Sequence, residues 1–179
     1  MVLHDAPIGR FFEDFVVGDV YRHPLGRTIS DADNTWFTLL TMNTNPIHFD
    51  HKYAAQTEFE RPLVNSTLTV AVIAGLSVID TSQHAFANLG WDKIRLTKPV
   101  FAGDTLYAES QVLEARDSKS RPHGGIVVVR TRGLNQDGVQ VIDWVRTFFV
   151  YRRSHGAAMR AFPEPEVIWG GEANEEGAD

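Results

Sequence analysis

The sequence contains no cysteine among its 179 residues, which excludes a disulfide framework, a thiolate metal site and a thiol nucleophile. It has no apolar run near the ~20 residues that a membrane helix needs, since the most apolar stretch extends only from Leu68 to Ile79. Blocks of Lys or Arg are missing too, and the formal net charge is −6. We therefore expect neither a membrane nor a nucleic-acid partner.

The first residues lack the basic segment and apolar core of a signal peptide, so we expect a cytoplasmic protein. Hydrophobic residues make up 43% of the chain, which is enough for a core. The length indicates a single domain. We expect an extension over residues 1–10, a folded domain over residues 11–153, and an acidic, mobile tail over residues 154–179.

The first half of the chain favours helices. Ser30 or Asp31 is a favourable N-cap, and the apolar residues that follow recur at helical spacings. Pro46 ends this pattern because the residue before a proline avoids helical dihedrals, so residues 43–49 are expected to form a loop. Asp50 favours the start of a second, short helix. The apolar residues of the first helix are Trp36, Phe37, Leu39 and Leu40.

Residues 66–79 are apolar all round, which predicts a buried helix. Asn65, Ser66 and Thr67 stand at its N-terminus, where backbone N–H groups lack intrahelical partners. The rest of the chain is strand-rich, with Asp137-Gly138 as a strong hairpin signal. A buried helix followed by long antiparallel strands indicates an α+β fold, in which a curved sheet wraps round the helix. The expected strands cover residues 89–96, 105–113, 126–134 and 139–151.

The densest polar cluster in this apolar setting is the segment over residues 41–50. His48 can exchange a proton near neutral pH, although a lone histidine in a loop is more often a surface or capping residue. The run Asn43-Thr-Asn45-Pro46-Ile-His48-Phe-Asp50 resembles the hydratase motif of the MaoC-like, (R)-specific enoyl-CoA hydratase family. Further features follow in the family's order: Asp33, Tyr53-Ala54, the apolar helix from Ser66, Lys98 to Leu106, and Asn135 to Gly138.

The resemblance implies a hot-dog fold, which is an antiparallel sheet wrapped round one long central helix. It also implies a homodimer whose sheets join, and this agrees with a last strand that is apolar on both faces. The implied chemistry is reversible addition of water to a trans-enoyl-CoA thioester. An Asp and a His on the motif loop activate the water, and N–H groups at the start of the central helix bind the thioester oxygen.

The resemblance places His48 on the catalytic histidine of the family, but Asn43 stands where the family has its aspartate. An amide orients water through its carbonyl but does not accept a proton under working conditions. Three alternatives stay open. His48 acts alone as base and then acid, with Asn43 orienting the water; or another carboxylate assists, for which Asp33 and Asp50 are candidates that also suit helix caps; or the chain is an inactive, thioester-binding partner subunit.

A second departure is Asn65-Ser66, where many relatives carry His-Gly. These residues either cap the helix or also contact substrate, with Thr67 beside them. The motif resembles most the branch that acts on small, branched dicarboxylic acyl-CoAs such as mesaconyl-CoA or itaconyl-CoA. Arg61 and Asn65 are candidates to bind the second carboxylate, and Asn45 is a further candidate substrate contact. An acyl-carrier protein in place of CoA is an open alternative, because the thioester chemistry is the same.

Lys93, Arg95 and Lys98 are candidates to bind CoA phosphates, with a solvated sheet surface as the alternative interpretation. Alternation along a strand places Lys93 and Arg95 on one face. His48 and His51 fit no standard zinc spacing. We expect no metal and no cofactor.

Overall fold

A computed structural model describes residues 8–156. Most of the predicted tail and residues 1–7 of the predicted extension lie outside the described residues, so those boundaries stay predictions. The end of the predicted extension contacts the domain, since the Arg10 guanidinium lies 3.5 Å from the Asp80 carboxylate and 4.1 Å from the Tyr21 ring. No helix among residues 8–156 is long and apolar enough to cross a membrane.

The helices begin at the capping residues that the sequence predicts. The Ser30 side chain accepts from the backbone N–H of Asp33, and the Asp50 side chain accepts from that of Tyr53. The long helix begins after Asn65. The helices of the described part are α1 (Asp31–Leu40), α2 (His51–Ala54), α3 (Ser66–Thr81) and α4 (Arg153–Gly156), and 3₁₀ turns cover Phe12–Asp14 and Pro46–His48.

All strand pairs are antiparallel, as the hairpin pattern predicts, in the order β1-β4-β5-β6-β3, with β2 pairing β4. Gly138 has a φ of 74° in the tight turn between the last two strands, where glycine avoids the steric cost of that conformation. The strands are β1 (Val20–Arg22), β2 (Arg27–Thr28), β3 (Ala85–Leu96), β4 (Thr105–Asp117), β5 (Gly124–Leu134) and β6 (Gln140–Tyr151).

Helix α3 packs on the sheet through one side only. Ile73 approaches β5 at Gly133, where an added Cβ would lie 2.7 Å from the side chains of Ile73 and Ile142. The opposite side of α3 lines an apolar groove of about 540 Å³ together with Leu25 and Ile8. The predicted buried helix is therefore covered by the sheet on one side, and its other side is open in this single chain.

Helix α1 turns its polar side inward. Trp36 is 75% exposed and Leu40 is 82% exposed, whereas Asn34 and Thr38 are the buried residues of this helix. The apolar spacing identifies the helix correctly but does not identify its buried face. The reason is that Asn34 and Thr38 form hydrogen bonds with the residues just before α3. Asn34 bonds to Leu63, and both side chains bond to Asn65, the N-cap of α3.

A buried polar network ties α3 to the sheet. His23 Nδ1 lies 3.0 Å from an Asp80 carboxylate oxygen, and Nε2 lies 2.9 Å from Ser110 Oγ. Ser110 Oγ lies 2.8 Å from Thr131 Oγ1. Burial lowers the pKa of His23, although the hydrogen bond and the charge of Asp80 act in the opposite direction. The neutral ring donates from Nδ1 to Asp80 and accepts at Nε2 from the Ser110 hydroxyl.

This network predicts a pH-dependent stability. Because the pKa of His23 is lower in the folded chain than in the unfolded chain, the unfolded state binds more protons as the pH falls through about 6.5. The free energy of unfolding therefore decreases on acidification. Thermal melts between about pH 7.5 and pH 5.5 are expected to show a smaller loss for His23→Gln than for the wild type. His51→Gln, at an exposed position, is the control that keeps the wild-type slope; equal slopes for all three proteins would contradict the prediction.

Candidate active site

The motif loop, residues 43–49, follows a tight turn at the C-terminal end of α1. Met42 has a φ of 56°, and its N–H donates to the Leu39 carbonyl at 3.0 Å. The N–H of Asn43 donates to the Thr38 carbonyl at 3.0 Å. This pair of bonds is the Schellman arrangement, which usually has glycine at the left-handed position. It fixes the direction in which Asn43 leaves the helix.

Two side-chain amides then hold the loop. Asn43 Oδ1 accepts the backbone N–H of Asn45 at 3.0 Å, and Asn45 Oδ1 accepts that of Ile47 at 3.2 Å. Asn45 is thus the N-cap of the 3₁₀ turn that begins at Pro46. One lone pair of the Asn43 carbonyl is committed to this loop, and the second lone pair and the Nδ2 hydrogens supply its remaining hydrogen-bonding capacity.

His48 ends this turn and is buried, with 8% of its surface exposed. Its Nδ1 lies 2.8 Å from the carbonyl oxygen of Leu63. Because a carbonyl only accepts, Nδ1 carries the proton, and in the neutral ring Nε2 keeps its lone pair. The local structure therefore selects the tautomer in which Nε2 keeps its lone pair and is able to accept a proton.

Asn65 is the N-cap of α3, a role that both interpretations from the sequence include. Its Oδ1 accepts from the N–H of Thr67 at 3.0 Å and from the Thr67 hydroxyl at 2.6 Å. Its Nδ2 donates to Thr38 Oγ1 at 3.2 Å, and the residue is buried. A substrate contact by Asn65 stays a prediction. Among residues 8–156, no hydrogen bond uses the backbone N–H of Ser66, the first residue of α3.

A cavity of about 240 Å³ opens at this end of α3, and Ser66 and Lys98 both line it. Leu63 lines the same cavity and also accepts the bond from His48. The structure thus brings the start of α3 and Lys98 to one cavity. The imidazole of His48 is hydrogen-bonded to Leu63, a residue of the cavity wall. The other lining residues are Phe59, Val64, Thr69, Leu96, Thr97, Pro99 and Val100.

The candidate cations outside this cavity have different surroundings. The Arg61 guanidinium lies 3.8 Å above the Phe101 ring. Lys93 has a φ of 55° within a bulge of β3 that shifts the register between Asp92 and Arg95. The bulge breaks the alternation from which a common face for Lys93 and Arg95 was inferred, so their role as phosphate contacts stays a prediction.

Both alternative carboxylates serve as helix caps. Asp33 forms a capping box with Ser30, and hydrogen bonds from the Ser30 backbone and side chain lower the pKa of Asp33. A carboxyl group with a lowered pKa is a weaker proton acceptor. Asp50 caps α2 through its bond to Tyr53. Among residues 8–156, no group of three His, Asp or Glu side chains is arranged to hold a metal ion.

Asn34 is a site residue that the sequence reasoning missed. Its Nδ2 donates to the His48 carbonyl at 2.7 Å and to the Leu63 carbonyl at 3.2 Å, and its Oδ1 accepts the N–H of Asn65 at 2.8 Å. The available signal was the polar pair Asn34 and Thr38, which lie four residues apart and therefore on one face of the helix. That signal does not say which residues the pair will contact.

The family model described as "MaoC like domain" matches residues 14–132. A mesaconyl-CoA hydratase from Cereibacter sphaeroides is 36% identical over 159 residues, which cover 89% of this chain and 46% of the relative. An (R)-specific enoyl-CoA hydratase from Aeromonas caviae is 30% identical over 118 residues, which cover 66% of this chain and 84% of the relative. The chain thus spans about half the length of the first of these relatives and most of the second.

Among solved structures, a Mycobacterium tuberculosis protein described as a double hotdog fold aligns with a TM-score of 0.73. The alignment covers 80% of this chain and 44% of that chain at 24% identity, so it bears on the fold alone. An antiparallel sheet carrying one long helix, together with a family match over most of the described residues, confirms the implied fold and leads to one conclusion. The chain belongs to the MaoC-like domain family and has the hot-dog fold.

Proposed function

We propose that this protein is a hydro-lyase that adds water reversibly to a short trans-enoyl-CoA thioester. The observation that carries the proposal is the bond from His48 Nδ1 to the Leu63 carbonyl, which leaves Nε2 as the base. The first turn of α3, which holds the Ser66 N–H, begins three residues after this carbonyl. Hydration of an enoyl thioester requires a base and a hydrogen-bond donor; here the proposed base is bonded to Leu63 of the cavity wall, and the donor, Ser66, lines the same cavity.

In the proposed reaction, His48 Nε2 takes a proton from water while the water oxygen bonds to the β-carbon of the enoyl group. The electron pair of the double bond moves toward the thioester, whose oxygen gains negative charge. The Ser66 N–H and the positive end of the α3 dipole stabilise this charge. His48 then returns the proton to the α-carbon, and the amide of Asn43 orients the water.

The proposed substrate is a branched dicarboxylic enoyl-CoA. The name of the Cereibacter relative supports this choice, and Lys98 places positive charge on the cavity wall. Arg61 is the candidate for the second carboxylate, and Lys93, Arg95 and Lys98 are the candidates for the CoA phosphates. The candidate contacts to the thioester oxygen and the rest of the substrate stay Ser66, Thr67, Asn45 and Asn65. An acyl-carrier protein in place of CoA stays an open alternative, and a cytoplasmic location stays a prediction from the sequence.

The alternative of an inactive partner subunit is not favoured. An inactive chain has no chemical need for a buried histidine whose tautomer is selected by a main-chain carbonyl. The relatives that the chain matches are also named as hydratases.

A panel of thioesters tests the function, with loss of enoyl absorbance as the measurement. We expect purified protein to hydrate mesaconyl-CoA or itaconyl-CoA in preference to crotonyl-CoA and a longer linear enoyl-CoA. His48→Ala is expected to lower the rate by about 10²–10⁴-fold, because both proton transfers depend on this ring. His51→Ala, at a nearby exposed position, is the matched control and keeps its activity.

Turnover of crotonyl-CoA alone would keep the chemistry and overturn the proposed substrate. No turnover by a folded protein on any member of the panel would favour the partner-subunit alternative instead.

The exchange Asn43→Asp tests whether the site is constructed around an amide. A carboxylate at this position keeps the oxygen that accepts from Asn45, but it adds a negative charge beside an acyl group that already carries one carboxylate. We expect a lower rate with the dicarboxylic thioester and a smaller loss with crotonyl-CoA. Asn135→Asp, in the turn between β5 and β6, is the control for an added charge. A higher rate for Asn43→Asp on both thioesters would mean that the amide is a defect.

The exposed edge of the sheet supports a homodimer as the proposed assembly. Within residues 8–156, strand β3 lies at one end of the sheet and pairs only with β6. A long apolar edge strand offers unpaired backbone groups to a second strand. The double length of the Cereibacter relative agrees with a second unit of similar size. The exposed apolar side chains on this edge are Phe86, Leu89, Trp91, Ile94 and Leu96.

Light scattering during gel filtration tests this assembly. The wild type is expected to elute with the mass of two chains, and Leu89→Lys with the mass of one, because a charge would be buried between the joined edges. Val17→Lys places the same charge at another exposed apolar position, in a turn, and is expected to stay dimeric. A monomeric wild type, or a dimeric Leu89→Lys, would contradict the proposal.

A further inference from the structure

We propose that Asn34 is a positioning residue that holds the base and the thioester-binding end of α3 in one fixed arrangement. The inference rests on the proposed function of His48 and α3, and it adds a residue that lies outside the motif loop. Asn34 itself is only 2% exposed, so it acts through the groups that it binds.

The carboxamide of Asn34 joins three main-chain groups from separate segments. One Nδ2 hydrogen is directed to the carbonyl of His48 at 2.7 Å, and the other to the carbonyl of Leu63 at 3.2 Å. Oδ1 accepts the N–H of Asn65 at 2.8 Å. The motif loop, the segment before α3 and the cap of α3 therefore meet at one side chain.

Only an amide of this length suits all three partners. Two carbonyl oxygens need donors and one N–H needs an acceptor, which is the set that a carboxamide offers. An aspartate at this position would keep the bond to Asn65 but would turn an acceptor oxygen toward two other acceptors. An alanine would leave two buried carbonyls and one buried N–H without this partner, which is unfavourable for groups removed from water.

The bond to Leu63 reaches the base directly. The Leu63 carbonyl accepts from Asn34 and also from His48 Nδ1 at 2.8 Å. The direction of this carbonyl selects the tautomer of His48 and the orientation of its ring. Without Asn34, the carbonyl loses one of these two bonds and its direction is held less firmly, so a fraction of the rings carries the proton on Nε2, where it blocks the proposed base.

The bond to Asn65 reaches the other half of the site. Asn65 is the cap of α3, and its side chain is held by Thr38, one turn after Asn34 on α1. Helix α1 therefore fixes the start of α3 at two points. The separation between His48 Nε2 and the first N–H groups of α3 depends on this connection, and an error of about 1 Å in such a separation costs on the order of 10²-fold in rate.

Steady-state kinetics of Asn34→Ala and Asn34→Asp form the first part of the test. Both variants are expected to lose about 10²-fold in kcat, with a change in KM of only a few-fold, because the cavity that binds the thioester stays intact. Ser77→Ala is the matched control: it removes a buried side-chain bond within α3, away from the site, and is expected to lower the melting temperature while kcat is kept. Asn34→Asp has the same shape as the wild-type residue, so a loss of kcat that both folded variants share does not come from an empty space at this position.

Nitrogen NMR of the His48 ring forms the second part and needs no substrate. The wild type is expected to show the tautomer protonated at Nδ1, and the Asn34 variants a mixture of both tautomers. A wild-type tautomer and an unchanged kcat in folded Asn34 variants, with only a lower melting temperature, would overturn the proposal. If the wild type hydrates none of the thioesters, the function fails, and the ring tautomer alone decides whether Asn34 positions His48.

Discussion

The hydrogen bond between His48 Nδ1 and the Leu63 carbonyl joins the two parts of the candidate site. It connects a loop that leaves α1 to the segment that enters α3, and it determines which imidazole nitrogen is free to act as a base. A second bond runs the opposite way between the same segments, from the Leu63 N–H to the Ile47 carbonyl at 3.1 Å. The motif loop and the start of α3 are therefore held as one unit, so the shape of the site depends on main-chain geometry as much as on the motif side chains.

The sequence predicted those parts of the fold that depend on local interactions. Ser30, Asp50 and Asn65 cap helices because their side chains reach backbone N–H groups two or three residues ahead, and such contacts are visible in the sequence itself. Gly138 marks a turn for a similarly local reason, its left-handed conformation. The proposed base, His48, was likewise accessible through its motif.

The parts that were missed depend on tertiary partners. The inward side of α1 carries Asn34 and Thr38 because the main chain before α3 needs hydrogen bonds there, and no spacing within α1 contains that information. The bulge at Lys93 adds residues to β3 relative to β6, which a rule of strict alternation does not anticipate. The open side of α3 has a related cause, since a single sheet covers only one side of a helix.

The replacement of the family aspartate by Asn43 has an electrostatic consequence beyond the loss of a second base. Asp33 and Asp50, the nearest carboxylates in sequence, are bound as helix caps, and Lys98 supplies a positive charge on the cavity wall. A carboxylate on the motif loop would repel an acyl group that carries its own carboxylate, and this repulsion is strong where water is excluded. An amide keeps the ability to orient water without that repulsion. Under the proposed function, the exchange that leaves both proton transfers to His48 also suits the site to the proposed dicarboxylic thioester.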